Sequence, residues 1–398
     1  MVINMRKRTN KHKSVTRIKV YHAGQIGGNV TVVKTSKARI MIDFGSAFSS
    51  SKFGNVKYDF KKHPVDGVFF THHHFDHVGR FDEIPLDTVI YMSEVTKDVI
   101  GIRAPKRYDR NFFRFRVLSP NESISIKDIT VTAILSDHSA FGAYMYLIET
   151  PDKVILHTGD FRLHGYNGYR VIGRIRKLCE KKNIKIDTLI MEGTRILDVP
   201  MFSPSVESME KKLTRIFKHH RFAYVYVSEF DFESVVAFYQ AAKKNDMQFF
   251  MDEESRDTIR AFVKFGRRYD YRYDIKNIEI GMPERNSDAY KHGFVCVVKD
   301  KDEYLENMCS FRKFKPIFIF SERLDYIIKQ LSNYKKDMGE FVHKARLFTS
   351  KFYYIHTSGH ADRKTLLMFA KIMSPKRIIP IHTKHLFVFN LLNRISRK

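Results

Sequence analysis

Short apolar runs in this chain repeatedly stop at histidines or carboxylates. Val68-Phe69-Phe70 gives way to Thr71-His72-His73-His74-Phe75-Asp76-His77, and Val154-Ile155-Leu156-His157 leads into Thr158-Gly159-Asp160-Phe161-Arg162. Ile186–Met191 ends at Glu192, Phe352–Ile355 at His356 to His360, and Ile378–Ile381 at His382. Runs of this length, rich in β-branched and aromatic residues, are expected strands. Asn29–Val33 and Ala38–Asp43 pair around a Ser/Lys turn, and Ile129–Leu135 with Ala143–Glu149 brackets Ser136-Asp137-His138-Ser139. Several more strands are expected between Val89 and Leu118. A helical period covers Val171–Lys182 and Asp362–Met373, where Leu366, Phe369, Ala370 and Met373 share one face. From Met201 to about residue 345 the texture changes to helices (206–219, 232–244) alternating with strands (223–227, 249–251). That stretch reads as a separate α/β unit.

The chemistry sits at the strand ends. If strand direction persists past Phe70, alternate side chains put His72, His74 and Asp76 on one wall, with His77 brought in by the following turn. His73 then faces the other way. Three imidazoles and a carboxylate in so short a span suit a borderline-soft divalent ion such as zinc; the alternative is a solvated histidine-rich loop. Asp160 to Glu192 and His360 to His382 are each separated by one helix and one strand. A strand–helix–strand crossover makes parallel neighbours, so each pair is expected at one carboxyl edge, where ligands gather in open α/β sheets. The Gly24–Gly28 turn is read as a hairpin turn rather than a phosphate loop.

Composition adds a partner and a compartment. Hydrophobic residues make up 43% and charged residues 29%, a globular balance. Against 44 acidic residues stand 70 Lys+Arg, and the resulting +26 is a field that attracts polyanions, nucleic acid above all. No long apolar span or basic amphipathic helix favours a membrane. Cys179, Cys296 and Cys309 form no CxxC pair and suit a reducing compartment. Residues 1–17 read as a flexible basic arm with no apolar h-region, so a cytoplasmic protein is expected. Basic and aromatic residues interleave at 107–116 and 267–273. Such stretches either stack bases and meet phosphates or form half-buried strands with a charged outer face.

Thr71–His77 fits the HxHxDH signature and resembles metallo-β-lactamase-fold hydrolases. Asp43, His138 and Asp160 stand where that family places its remaining motifs, and Glu192, His360 and His382 match the three extra motifs of its nucleic-acid-processing β-CASP branch. Ser228-Glu229-Phe230-Asp231 with Phe238–Lys244 resembles the β-CASP insertion. Gly24–Asn29 and His356–Ala361 look most like the ribonuclease J group. The resemblance implies an αββα sandwich at 18–200 and 346–398, with an inserted α/β β-CASP domain at 201–345. It implies two zinc ions, with manganese as an alternative. His72, His74 and His138 would hold the first, Asp76, His77 and His382 the second, and Asp160 would bridge. A hydroxide between two cations would attack a phosphodiester, with His360 as general acid oriented by Glu192. Asp76 counts among the catalytic residues as well as the ligands. Asp43 would fix a histidine tautomer by hydrogen bonding, and His356, Thr357, Ser358 and Gly359 would cradle a phosphate.

A histidine at the last motif is associated with RNA-cleaving members, whereas Thr158-Gly159-Asp160-Phe161-Arg162 is a form also seen in Artemis-like DNA nucleases. The ligand position changes the metal site itself, so single-stranded RNA is the expected substrate and DNA the alternative. An RNA-binding protein without activity is the rival from another class, and it predicts missing ligands. The chain stops soon after His382, so the further C-terminal domain of ribonuclease J is expected to be lacking. Internal versus 5′-end cleavage and oligomeric state stay open.

Overall fold

The computed structural model describes residues 15–105, 107, 113–198, 201–268, 273, 275–285, 287–323 and 336–395. The basic arm through residue 14 and the middles of both aromatic–basic stretches (108–112 and 269–272) lie outside the described residues.

Six strands build the first sheet in chain order: β1 (Arg17–Tyr21), β2 (Val30–Lys34), β3 (Arg39–Ile42), β4 (Gly67–Phe69), β5 (Val89–Met92) and β6 (Arg114–Val117). The first three pair antiparallel and the rest parallel. Next come β7 (Ser123–Ile126), β8 (Ile129–Leu135), β9 (Tyr144–Glu149), β10 (Val154–His157) and β11 (Thr188–Glu192), which make most of a second sheet. Alternation is nearly absent from β8, β9 and β11 because both faces are covered.

The two sheets lie face to face. Phe69 stacks on Tyr91 (centroids 4.6 Å apart) and meets Tyr146 edge-on, whose hydroxyl donates to the Phe70 carbonyl at 2.6 Å. Outside the second sheet, Leu147, Leu156, Leu189 and Met191 pack with Val171, Ile175, Leu366 and Phe369, from helices Tyr169–Lys182 and Arg363–Met373. Each such fully buried aliphatic side chain is worth about 1.5–3 kcal/mol. Outside the first sheet, Val32, Met41, Val68 and Ile90 pack against Phe44, Val56, Phe81 and Ile100. The result is an α/β fold of αββα layers.

The chain then leaves the sandwich to build a third, all-parallel sheet. Its strands are β12 (Phe222–Tyr226), β13 (Gln248–Met251), β14 (Glu279–Ile280), β15 (Phe294–Val298), β16 (Ile317–Phe320) and β17 (Lys351–Tyr354), in the order β14-β13-β15-β12-β16-β17. Its central strands are buried on both faces, as crossover helices require. The last strand, β18 (Arg377–Ile381), returns to the second sheet beside β11, with Glu192 opposite Ile381.

Two expectations are corrected here. The strand near Phe352–Ile355, assigned to the sandwich, is β17 and pairs with β16, so the inserted sheet runs past the expected boundary at 345. The path from His360 to His382 is consequently not a crossover within one sheet. The stretch from Val89 to Leu118, read as strands only, contains helix Glu94–Arg103, whose start is capped by Ser93 accepting from the Thr96 amide.

Candidate metal centre

β4 stops at Phe69, and the motif segment does not continue as a strand. His74 sits at the N-terminus of a short helix, Phe75–Val78, so a helical turn rather than strand alternation presents Asp76 and His77. The single wall expected for His72, His74 and Asp76 therefore divides. His72 and His74 join His138 in one group, and Asp76 and His77 join Asp160 and His382 in another. A third group, Asp160, Glu192, His360 and His382, overlaps the second. Within each group the nearest donor atoms lie within 4.8 Å of one another. His73 belongs to none of them; its ring lies against Phe262 of the inserted unit.

The backbone around Asp76 and His77 is clamped from two sides. Gly28 donates to the Asp76 carbonyl at 3.0 Å, and Phe44 donates to the His77 carbonyl at 2.9 Å. Between these contacts Gly45 passes so close that a Cβ there would lie 2.0 Å from the Asp76 carbonyl, a space no other residue fits. The Gly24–Gly28 turn thus braces the site. Asn29, which ends it, accepts the His382 amide on Oδ1 at 2.8 Å.

Side chains behind the donors fix their orientation. Asp43, held at φ 58°, accepts from the Thr71 amide (2.8 Å) and hydroxyl (2.9 Å), and its Oδ2 lies 2.8 Å from His77 Nδ1. His138 Nδ1 donates to the Gly359 carbonyl at 2.6 Å, which leaves Nε2 unprotonated and facing His74 Nδ1 at 3.2 Å. His382 sits at φ 50°, where the Thr194 hydroxyl donates to its carbonyl (3.2 Å) and lies 2.8 Å from its Nδ1. Two non-glycine residues in the left-handed region beside one site mark backbone bent to serve it. Glu192 is sealed from solvent, accepts the Phe161 amide at 2.9 Å, and places both oxygens 3.2 Å from His360 Nδ1. His360 keeps 15% of its side chain exposed, so this pair joins a dry carboxylate to a ring that solvent reaches.

The two halves differ electrostatically. Burial drives His72 and His138 well below the ordinary imidazole value and His74 to about 3, so these rings are neutral, the form in which imidazole ligates metal. In the second group burial is outweighed by pairing. His77 is raised well above its usual value by Asp160, Asp76 and Asp43, despite desolvation. Burial alone would raise both acids, but His382 and His77 hold Asp160 well below the carboxylate range, and His77 and His382 hold Asp76 at about 2. His77 Nε2 is 3.1 Å, and His382 Nε2 3.5 Å, from Asp160 Oδ2. Two buried atoms, His72 Nε2 and Asp160 Oδ1, have no hydrogen-bond partner. Orphaned donor atoms, neutral imidazoles and buried carboxylates clustered with histidines are what a site for divalent cations presents. The residues fit the group.

The residues expected to cradle phosphate reach the rim with their polar atoms engaged. Thr357 donates to the Pro204 carbonyl at 2.8 Å, and His356 Nδ1 lies 3.1 Å from the Ser321 carbonyl. Ser358 Oγ accepts the His360 amide, and the Gly359 carbonyl holds His138. Behind them lies Arg162, fully buried, paired with Asp137 (3.1 Å) and with Glu233 of the inserted unit (2.8 Å), and donating to the Ser358 carbonyl at 3.2 Å. Arg162, Thr71, Thr194 and Asn29 carry no signal of their own in one sequence. A fully buried arginine is recognisable only once its two carboxylates are seen around it.

Residues 23–172 match the family model of the metallo-beta-lactamase superfamily. The chain therefore carries a metallo-beta-lactamase superfamily domain over those residues. A second match, at 349–386, is to the Zn-dependent metallo-hydrolase RNA specificity domain, which spans the His356–His360 loop and β18. Curated relatives named ribonuclease J include that of Synechocystis sp., 21% identical over 387 residues, covering 91% of this chain and 59% of its own length. That of Mycoplasma genitalium is 22% identical over 390 residues, covering 92% and 67%. That of Helicobacter pylori (strain 26695) is 29% identical over 154 residues, covering 35% and 22%. The chain thus spans only part of the length of these relatives. Among solved structures, a protein of unknown function from Enterococcus faecalis V583 superposes with a TM-score of 0.66 at 20% identity, covering 94% of this chain and 95% of that one. The two chains share a fold.

Proposed function

We propose that the chain is a divalent-metal-dependent ribonuclease that hydrolyses phosphodiester bonds in single-stranded RNA. The observation that carries the reading is the pairing of His360 with sealed Glu192 beside two groups of donors, the second of which includes Asp160 with its Oδ1 unpartnered. On this reading His72, His74 and His138 hold one zinc or manganese ion, Asp76, His77 and His382 a second, and Asp160 lies between them. Bound cations would supply Lewis-acid stabilisation of phosphoryl charge and make water a competent nucleophile at neutral pH. Everything else is done by the chain. Burial opposes charge on His360, but Glu192 and Asp160 overcome it and raise its proton affinity, so the ring is the proton source for the leaving oxygen. Asp43 holds His77, and Gly359 holds His138, in one tautomer each. The His356–Gly359 loop supports His360 and His138 and presents the rim to the substrate phosphate. The net charge of +26 draws a polyanion to that rim. The RNA specificity match and the relatives' name favour RNA over DNA.

The test offers wild-type protein 5′-phosphorylated RNA and DNA of one sequence, with zinc or manganese, alongside metal analysis. RNA cleavage, close to two ions per chain, and loss of turnover in His77→Ala and Asp160→Ala are expected. Preferential DNA cleavage moves the chain to the Artemis-like alternative. No cleavage of either, or full activity in both variants, refutes the proposal.

A further inference from the structure

Helix Glu253–Arg268 of the inserted unit has two different faces. One packs inward, where the Phe262 ring lies 6.0 Å from that of His73 and 5.4 Å from that of Phe232. The other lines a groove of about 550 Å³, walled on its far side by residues 275–278. Arg256, Arg260, Lys264 and Arg267 follow one another along this wall at about one-turn intervals, and Lys276 stands opposite. Ile259 and Val263 form the floor.

This stripe is under-neutralised. Arg256 meets Glu253 at 3.3 Å and Asp257 at 3.0 Å, and Arg260 shares that same Asp257 at 3.5 Å. No carboxylate among the described residues lies in ion-pair range of Lys264 or Arg267. Like charges at i,i+4 destabilise a helix, so the row is costly unless an anion completes it. Successive i,i+4 positions rise about 6 Å, comparable to the spacing of neighbouring phosphates in an extended single strand. The apolar floor between the cations suits base or sugar faces. The groove lies on the face of the helix opposite the one that packs on His73.

We infer that this groove binds the phosphodiester backbone of a single-stranded nucleic acid and holds the part of the substrate strand remote from the bond being cut. The inference rests on the ribonuclease reading and adds a substrate subsite to it. It also accounts for Arg267, from one of the aromatic–basic stretches: this residue ends a helix instead of lying on a strand.

The test measures binding of labelled oligouridylate of about 20 nucleotides, longer than a typical single-strand site, with metal chelated so that no cleavage intervenes. R260Q/K264Q/R267Q is compared with K211Q/K212Q/R215Q, an equal charge loss on exposed positions of another helix. The groove variant is expected to bind roughly tenfold more weakly. Its plot of log affinity against log salt should be shallower by about 2, the value for three lost phosphate contacts on a single strand. The control should stay within about twofold of wild type. Equal losses in both variants, an unchanged salt slope, or displacement of the RNA by polyglutamate at equal charge overturns the inference. Metal-supplemented cleavage of a trinucleotide, too short to reach the groove, reports on the ribonuclease reading separately and should be the same in wild type and the groove variant.

Discussion

Replacing Arg162 with methionine keeps much of its volume and removes its charge, leaving Asp137 and Glu233 face to face at 5% and 3% exposure. Removing one partner of a buried ion pair costs about 3–5 kcal/mol, a large part of the roughly 5–15 kcal/mol that holds a domain together. Protonation offers partial relief. Burial and Asp137 already push the Glu233 carboxyl up to about 7, even with Arg162 present. A carboxyl whose native value lies above its unfolded value takes a proton on folding. Its favourable contribution is complete below the unfolded carboxylate range and is lost as pH rises through the native value. The deficit of Arg162→Met should therefore be smallest near pH 5 and grow towards pH 8, by up to about 1.4 kcal/mol per unit for each proton the variant's native state keeps beyond the wild type's. Urea unfolding of chelated protein across that range measures it. Arg162→Met/Asp137→Asn/Glu233→Gln should recover most of the loss, because a neutral buried cluster no longer holds unpaired charge. A midpoint that barely moves, or a deficit that shrinks with rising pH, refutes the reasoning.

Two more predictions concern the centre. Asp43→Asn keeps the shape but loses the carboxylate that meets Thr71 and His77; affinity for divalent metal at the His77 site should fall about 10- to 100-fold, read by chelator competition, and an unchanged titration would count against its supporting role. Glu192→Gln removes one of the two carboxylates that together outweigh burial and raise the proton affinity of His360. The alkaline limb of the kcat–pH profile should move to lower pH with metal content near normal, and a limb that stays put removes His360 from the acid role.

How much of this was legible in the sequence depended on whether a residue's position follows from local rules. Asp160 and Glu192 reach one edge because a strand–helix–strand unit makes parallel neighbours, and β10 and β11 do pair that way. The same rule misrouted His360, because β17 joins the inserted sheet and a loop, not a strand of the sandwich, delivers the histidine. Period-two alternation likewise failed past Phe70, where His74 opens a helix. Glu94–Arg103 falls in a stretch read as strands only, yet the helical spacing of Val95 and Val99 and the Ser93 cap make it a helix. Arg162, Thr194 and Asn29 were illegible for a different reason. Each acts on residues far away in the chain, such as Thr194 on His382 (188 positions) and Asn29 on the same histidine (353 positions), and no spacing rule reaches that far.

The return of β18 to the edge of β11 sets an order of events. Synthesis delivers Asp43 and the motif histidines early, yet the group of Asp76, His77 and Asp160 lacks a member until His382 is placed by the last strand. A nascent chain, or one cut before β18, carries most of the donors and none of the closure. Contacts of such long sequence separation form late in folding. On the proposed reading, the site for the second ion is thus incomplete until β18 has docked beside β11, however early the motif histidines are made.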